Sequence, residues 1–353
     1  MDTVIDLKNR NTIQIMRGIA IIMVVLHHSL SLIETSRISD VTVHFVDMMH
    51  VNIFFVISGY LFQKSAAKYR KLGFKNFLVK KIRELFIPYY ILSLVFAMLI
   101  RIASMKNSIG TILAAKGYMA KSLFAILVDP LIFRNPYFTS LWYIYVLMIY
   151  FIVSWVFVNR NIKLLDLFLL GMIGIVANMF FWQYMPDILY KTFRYYLFFT
   201  AGMWISLQCG SQITIKKKLW WASIGILALS LFRNIMIDLS RLTVLERNIE
   251  TQVERVLTAS AAIVVCACVA SKIVNRKQAH PLIIIGDMSY AIYLLHNPWV
   301  ICVVALVAQK VGLNQSCQLI LIMVCGIGLP MLVNTILLHA KEKMNNGYKN
   351  ELP

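Results

Sequence analysis

The sequence predicts an all-α polytopic membrane protein, a bundle of about ten transmembrane helices with both termini on the inner side. Three observations carry this. The 353 residues are 59% hydrophobic and only 14% charged, whereas a soluble domain is about half apolar and a quarter charged. Apolar runs of bilayer-spanning length recur along the whole chain. Lysine and arginine gather in alternate connecting segments, as inner loops do. The formal net charge of +19 follows from that loop bias. Membrane lipids, and no nucleic acid, are therefore the expected charged surroundings.

The elements follow in order. The first apolar run, 12–33, is too long for a signal peptide and lacks a small-residue cleavage site, so it is expected to stay as the first helix. Further spans are expected at 42–63, 84–103, 141–159, 164–182, 190–208, 217–237, 254–274, 286–308 and 316–338. They form one integral membrane domain over 1–353 with a helical core at 12–338, since no polar stretch is long enough for a separate soluble domain. The loop "QKSAAKYRKLGFKNFLVKKIRE" holds eight basic residues and one acid, and "IKKKLW" at 215–220 and "SKIVNRK" at 271–277 share its character. These place the N- and C-termini inside, in a multi-pass protein of the cytoplasmic membrane.

Two outer segments are longer. Within 104–140, "GYMAKSLFAILVDPLIF" is an apolar run cut by Lys121 and Pro130, which reads as an interfacial or re-entrant segment. Segment 233–255 mixes four basic with four acidic residues and reads as a solvated helical cap. The cysteines, Cys209, Cys266, Cys268, Cys302, Cys317 and Cys325, lack zinc or redox spacing and read as small hydrophobes, so no metal site is expected.

Chemistry concentrates on the first helix, "MRGIAIIMVVLHHSL" at 16–30. Arg17 and His28 are eleven residues apart, close to three whole turns, so they share a face with about 16 Å of axial rise between them. His27 points roughly 100° away. Ionisable groups at bilayer depth are costly and face the bundle interior or a water-filled cavity. The bland alternatives are an Arg17 that snorkels to headgroups and a His28 that merely satisfies a core hydrogen bond. The second span adds Asp47 and His50 at i, i+3 on one helix face and ends in Ser58-Gly59, small residues that suit close helix approach. The ninth span carries His296 within "GDMSYAIYLLHNP". So many intramembrane histidines suit proton movement or catalysis. His27, His44, His280 and His339 lack comparable support. Most tryptophans read as interface-belt residues, although an aromatic face at Trp142 also suits a sugar.

These segments together resemble the acyltransferase-3 family, integral membrane O-acyltransferases that modify bacterial surface sugars. "RGIAIIMVVLHHS" with "NIFFVISGYLF" is similar to the family's opening, and Arg17 and His28 match its R-x10-H signature. "LWYIYVLMIYF" at 141–151 resembles the family's Leu-Trp segment, and "SYAIYLLHNP" at 289–298 its late Ser-Tyr…His segment. The family's R-x-x-R pair entering the third helix is matched only by Lys80-Lys81-Ile82-Arg83, with Lys80 where the first arginine would stand. A lysine keeps the charge but not the bidentate grip.

The resemblance implies transfer of an acyl group, usually acetyl, from cytoplasmic acetyl-CoA or another acyl-CoA to a hydroxyl of a cell-surface or lipid-linked polysaccharide, with no bound cofactor. The residues fit that chemistry, with His28 as the base, Arg17, Lys80 and Arg83 toward the donor, Asp47 or His50 as support for the base, and His296 and Trp142 on the acceptor side. The competing reading is a proton-coupled transporter or glycan flippase. Transporters commonly show two similar halves, and no internal duplication is visible here.

Overall fold

The computed structural model describes residues 2–33, 36–105, 121–133, 139–158, 163–208, 212–236 and 242–350. After a strand β1 (Thr3–Asp6) come α1 (Arg10–Leu30), α2 (Arg37–Asp47), α3 (His50–Lys64), α4 (Ala66–Leu72), α5 (Phe74–Lys81), a wide turn at Ile82–Phe86 and α6 (Ile87–Ser104). There follow α7 (Leu123–Val128), α8 (Trp142–Val158), α9 (Leu164–Phe181) and α10 (Asp187–Gln208). A second strand, β2 (Gln212–Ile215), precedes α11 (Lys217–Met236), α12 (Val244–Ile273), α13 (His280–Asp287), α14 (Ser289–Leu295), a wide turn at His296–Val300, α15 (Ile301–Lys310) and α16 (Gln315–Asn350). Among the described residues, eight helices are long and apolar enough to cross a membrane, and Trp142–Val156 is a shorter apolar one. The protein is an all-α multi-pass membrane protein.

The chain divides into two compact units, Met1–Ile57 with Cys209–Pro353, and Ser58–Gln208. In the first, β1 pairs antiparallel with β2, Thr3 opposite Ile215. The Asp2 carboxylate accepts from the Lys217 N–H at the start of α11, and the Ser271 hydroxyl donates to the Val4 carbonyl. Residues 2–6, 212–217 and 271 therefore share one end of this unit. The α1 start is capped by Asn9, whose side chain accepts from the Asn11 N–H at 3.0 Å.

In a bilayer, helices gain little from burying apolar surface against each other, because lipid tails are equally apolar. Close packing has to hold them, and glycine provides it between α1 and α13. A Cβ on Gly18 would lie 2.4 Å from the Leu282 carbonyl oxygen, and one on Gly286 would lie 1.8 Å from that of Gln14. The contact therefore runs backbone to backbone. Around it, Ile21, Val24 and Val25 of α1 pack with Ile292, Ile301, Ala305 and Ile322 as a continuous buried cluster.

The second unit is organised by aromatic side chains. Phe62, Phe77, Tyr150 and Phe199 are each fully buried. Gly59 makes the close approach expected of Ser58-Gly59: a Cβ there would lie 1.9 Å from the Phe199 carbonyl oxygen. Within the long segment 104–140, residues 121–133 contain only α7, and Tyr89 and Tyr90 donate hydroxyls to the carbonyls of Pro130 and Leu127. The rest of "GYMAKSLFAILVDPLIF", up to Ala120, lies outside the described residues, as does Cys209.

Three local expectations are corrected. Segment 233–255 is not a solvated cap in its C-terminal part. Helix α12 is continuous from Val244 to Ile273, and Gln252, Glu254 and Arg255 are buried. Asp47 and His50 do not lie on one uninterrupted helix, because α2 ends at Asp47 and α3 begins at His50. The span expected at 286–308 is three helical pieces, and its break falls at His296.

Candidate functional site

The break at His296 has a direct cause. Pro298 lacks an N–H, and its ring pushes the preceding residue toward extended geometry. Asn297 accordingly sits at φ −125°, ψ 130°. With α14 ended at Leu295, the His296 side chain folds back on the helix terminus. Its Nδ1 lies 2.9 Å from the carbonyl oxygens of both Ile292 and Tyr293. A carbonyl only accepts, so Nδ1 carries the hydrogen and Nε2 of the neutral ring keeps a lone pair. His296 has no exposed surface.

Helix α1 runs unbroken through both motif residues. Arg17 and His28 therefore keep the shared face that their spacing predicts, and both are half-buried. A nitrogen of Arg17 lies 3.5 Å from Gln14 Oε1, one turn earlier. The His28 ring centroid lies 5.3 Å from that of His296 with the planes at 45°, and 5.0 Å from that of His27, edge to face. His27 in turn stacks on His50 at 5.1 Å. Two of these rings are pinned by α2 carbonyls, His50 through Nδ1 to Val46 at 2.7 Å and His27 through Nδ1 to Val43 at 3.3 Å. Four imidazoles from α1, α3 and the broken helix thus form one chain, His50–His27–His28–His296. Among the described residues, no group of three or more His, Cys, Asp or Glu is arranged to hold a metal ion.

Asp47 is paired with Arg255. Its carboxylate accepts from Arg255 Nη2 at 2.7 Å, and its carbonyl from Arg255 Nη1 at 2.7 Å. Arg255 is 1% exposed, among the largest fully buried side chains. The preceding residue, Glu254, accepts from Ser230 at 2.7 Å and Asn234 at 2.8 Å, pairs with Arg233, and meets His44 Nε2 at 3.4 Å. Arg233 also pairs with Glu250. This network joins α2, α11 and α12, and it fixes the end of α2 whose Val46 carbonyl holds His50.

The remaining predicted site residues belong to the second unit. Lys80 is half-buried at the end of α5, with Nζ 3.7 Å from Glu84, and Arg83 is exposed in the wide turn that follows. Between them, Lys81 is the buried cation. It bonds Glu84 at 3.0 Å and sits 4.6 Å over the Phe151 ring. Trp142 stacks on Tyr195 at 5.0 Å, with the Lys191 ammonium 5.6 Å from its ring.

Sequence reasoning missed His27, His44, Glu254 and Arg255. For Arg255 a signal was available. Gln252, Arg255, Thr258, Ala259 and Ala262 recur at three- and four-residue spacing, so the polar residues continue the small-residue face of the apolar half of α12. His27 is different, because its inclusion depends on α2 bringing Val43 beside it.

A family model for an acyltransferase domain, of the acyltransferase-3 type, matches residues 10–339. No curated protein and no solved structure matches the chain.

Proposed function

We propose, for a chain that belongs to the acyltransferase-3 family and is thus a membrane acyltransferase, that it moves an acetyl group from acetyl-CoA to a hydroxyl of a cell-surface or lipid-linked polysaccharide in the cytoplasmic membrane. The observation that carries this is the placement of His28. It is a half-buried imidazole in a cluster of imidazoles, three turns along an unbroken helix from Arg17. Acyl transfer to a sugar needs such a group, because a hydroxyl is a weak nucleophile until a base takes its proton.

The step balances as follows. A lone pair of His28 takes the hydroxyl proton as the acceptor oxygen bonds to the thioester carbonyl carbon. The carbon–sulfur bond then breaks, and the proton passes to the departing sulfur, giving the acyl ester and the free thiol. Arg17, about three turns away, meets the anionic or amide-rich part of the donor. General base catalysis supplies about 10²–10⁴-fold. The test is thioester cleavage by purified protein in liposomes with a glycan acceptor. His28→Ala is expected to lower turnover by about that factor while the protein stays monodisperse. Undiminished transfer by folded His28→Ala overturns the base assignment. Movement of a glycan across the bilayer without thioester cleavage transfers the weight to a carrier.

A further inference from the structure

The fully buried His296 is the best-anchored member of the imidazole chain and the one with a buried, unpartnered nitrogen among the described residues. Both contacts of its Nδ1 are to carbonyls, and among the described residues its Nε2 is buried with no hydrogen-bond partner. An orphaned acceptor inside an apolar cluster is costly unless a donor reaches it. Ile292, whose carbonyl its Nδ1 meets, belongs to the buried cluster that also holds Ile21, Val24, Val25 and Ile301. A substrate has no surface of His296 to touch, so the donor has to come from a neighbouring side chain.

His28 is that neighbour. Two imidazoles joined nitrogen to nitrogen by a hydrogen bond of about 3 Å have centroids near the 5.3 Å seen here, and the 45° between the planes is removed by turning the His28 ring. We infer that His296 is a positioning residue for His28: its Nε2 accepts one ring N–H of His28 and so turns the other His28 nitrogen, with its lone pair, toward the acceptor hydroxyl. The two carbonyls fix the His296 tautomer, and His296 fixes that of His28. The logic is that of an orienting group behind a catalytic histidine, with a neutral imidazole in place of a carboxylate. Among these isoleucines and valines a lone carboxylate would bury a charge with no counter-ion. An imidazole accepts the same N–H without one. When His28 takes the substrate proton, His296 offers its lone pair to the resulting imidazolium, and that proton leaves with the thiol.

This inference rests on the acyl-transfer reading, and its test separates the two. His296→Gln keeps an acceptor oxygen near the position of Nε2. His296→Asn keeps only a donor toward the carbonyls, and His296→Phe keeps only volume. Wild type and His296→Gln are expected within about tenfold of each other in kcat for acetyl transfer, and Asn and Phe about 100-fold down with the KM for acetyl-CoA unchanged, the low end of a misplaced base. In the His28→Ala background, His296→Phe is expected to cost nothing further, because the two act as a unit. A packing role alone gives losses that follow melting temperature and add to those of His28→Ala. That outcome, or His296→Phe within threefold of wild type, overturns the inference. A second readout does not depend on turnover. In ¹⁵N-histidine-labelled protein in micelles, His296→Phe is expected to change which His28 nitrogen carries the hydrogen, and an unchanged His28 tautomer overturns the pairing. Wild type that cleaves no thioester, yet shows the tautomer change, overturns the acyl-transfer reading alone.

Discussion

Two polar regions sit inside the same apolar unit, and they solve the same problem in opposite ways. At the junction of α2, α11 and α12, Arg233, Glu250, Glu254, Arg255 and Asp47 meet as opposite charges backed by Ser230, Asn234 and His44. Where α1 meets α3 and the broken helix, four imidazoles meet ring against ring. The first arrangement matches donors to charged acceptors and holds three helices in register. The second is held only through backbone carbonyls and leaves a lone pair unused at its buried end. Paired charges stabilise a single arrangement, whereas an imidazole tied through one nitrogen keeps the other for proton transfer.

This contrast can be broken from either side. The largest effect is expected at His28. His28→Ala should lower acyl transfer by about 10²–10⁴-fold and leave the melting temperature close to wild type, measured by thioester cleavage beside a thermal-shift assay in detergent. The opposite profile is expected at the charge network. Arg255→Ala removes the buried partner of a half-exposed carboxylate, which costs about 1–3 kcal/mol. It should appear as a lower yield and melting temperature, with turnover per folded molecule lowered less than in His28→Ala. An Arg255→Ala protein as stable as wild type would show that the network does not hold the helices.

Gly286 tests the frame between the two regions. Gly286→Leu must push apart α1 and α13, because even a Cβ there would overlap the Gln14 carbonyl. A strained, overpacked core typically costs about 1–3 kcal/mol, and activity should fall with stability rather than independently of it. Gly286→Leu with wild-type melting and activity would mean the helices do not meet there. Smaller still is the effect expected at Lys80 and Arg83, the cations proposed to meet the donor. Lys80→Gln and Arg83→Gln should each raise the KM for acetyl-CoA several-fold with little change in kcat, as loss of uniform binding does. The smallest change belongs to Arg10→Gln. That residue pairs with Asp287 while largely exposed, and such pairs contribute about 0–1 kcal/mol, so its melting temperature should barely move.

Much of this was determined by the sequence alone. The apolar runs specify membrane helices because a helix satisfies its backbone within one continuous apolar segment in lipid. The eleven-residue spacing puts Arg17 and His28 on one face because α1 contains no proline to break it. The motif at 289–298 marks His296, and Asn297-Pro298 carries the signal for a break there. Tertiary structure decided which polar groups meet. His27 points away from His28 on a helical wheel, yet its ring touches His28 and His50, because α2 supplies the Val43 carbonyl that turns it. Arg255 and Asp47 are 208 residues apart in the chain, and local spacing carries no information about a partner at that distance. Periodicity assigns a residue to a face of its own helix, and only the packing of helices decides what that face meets.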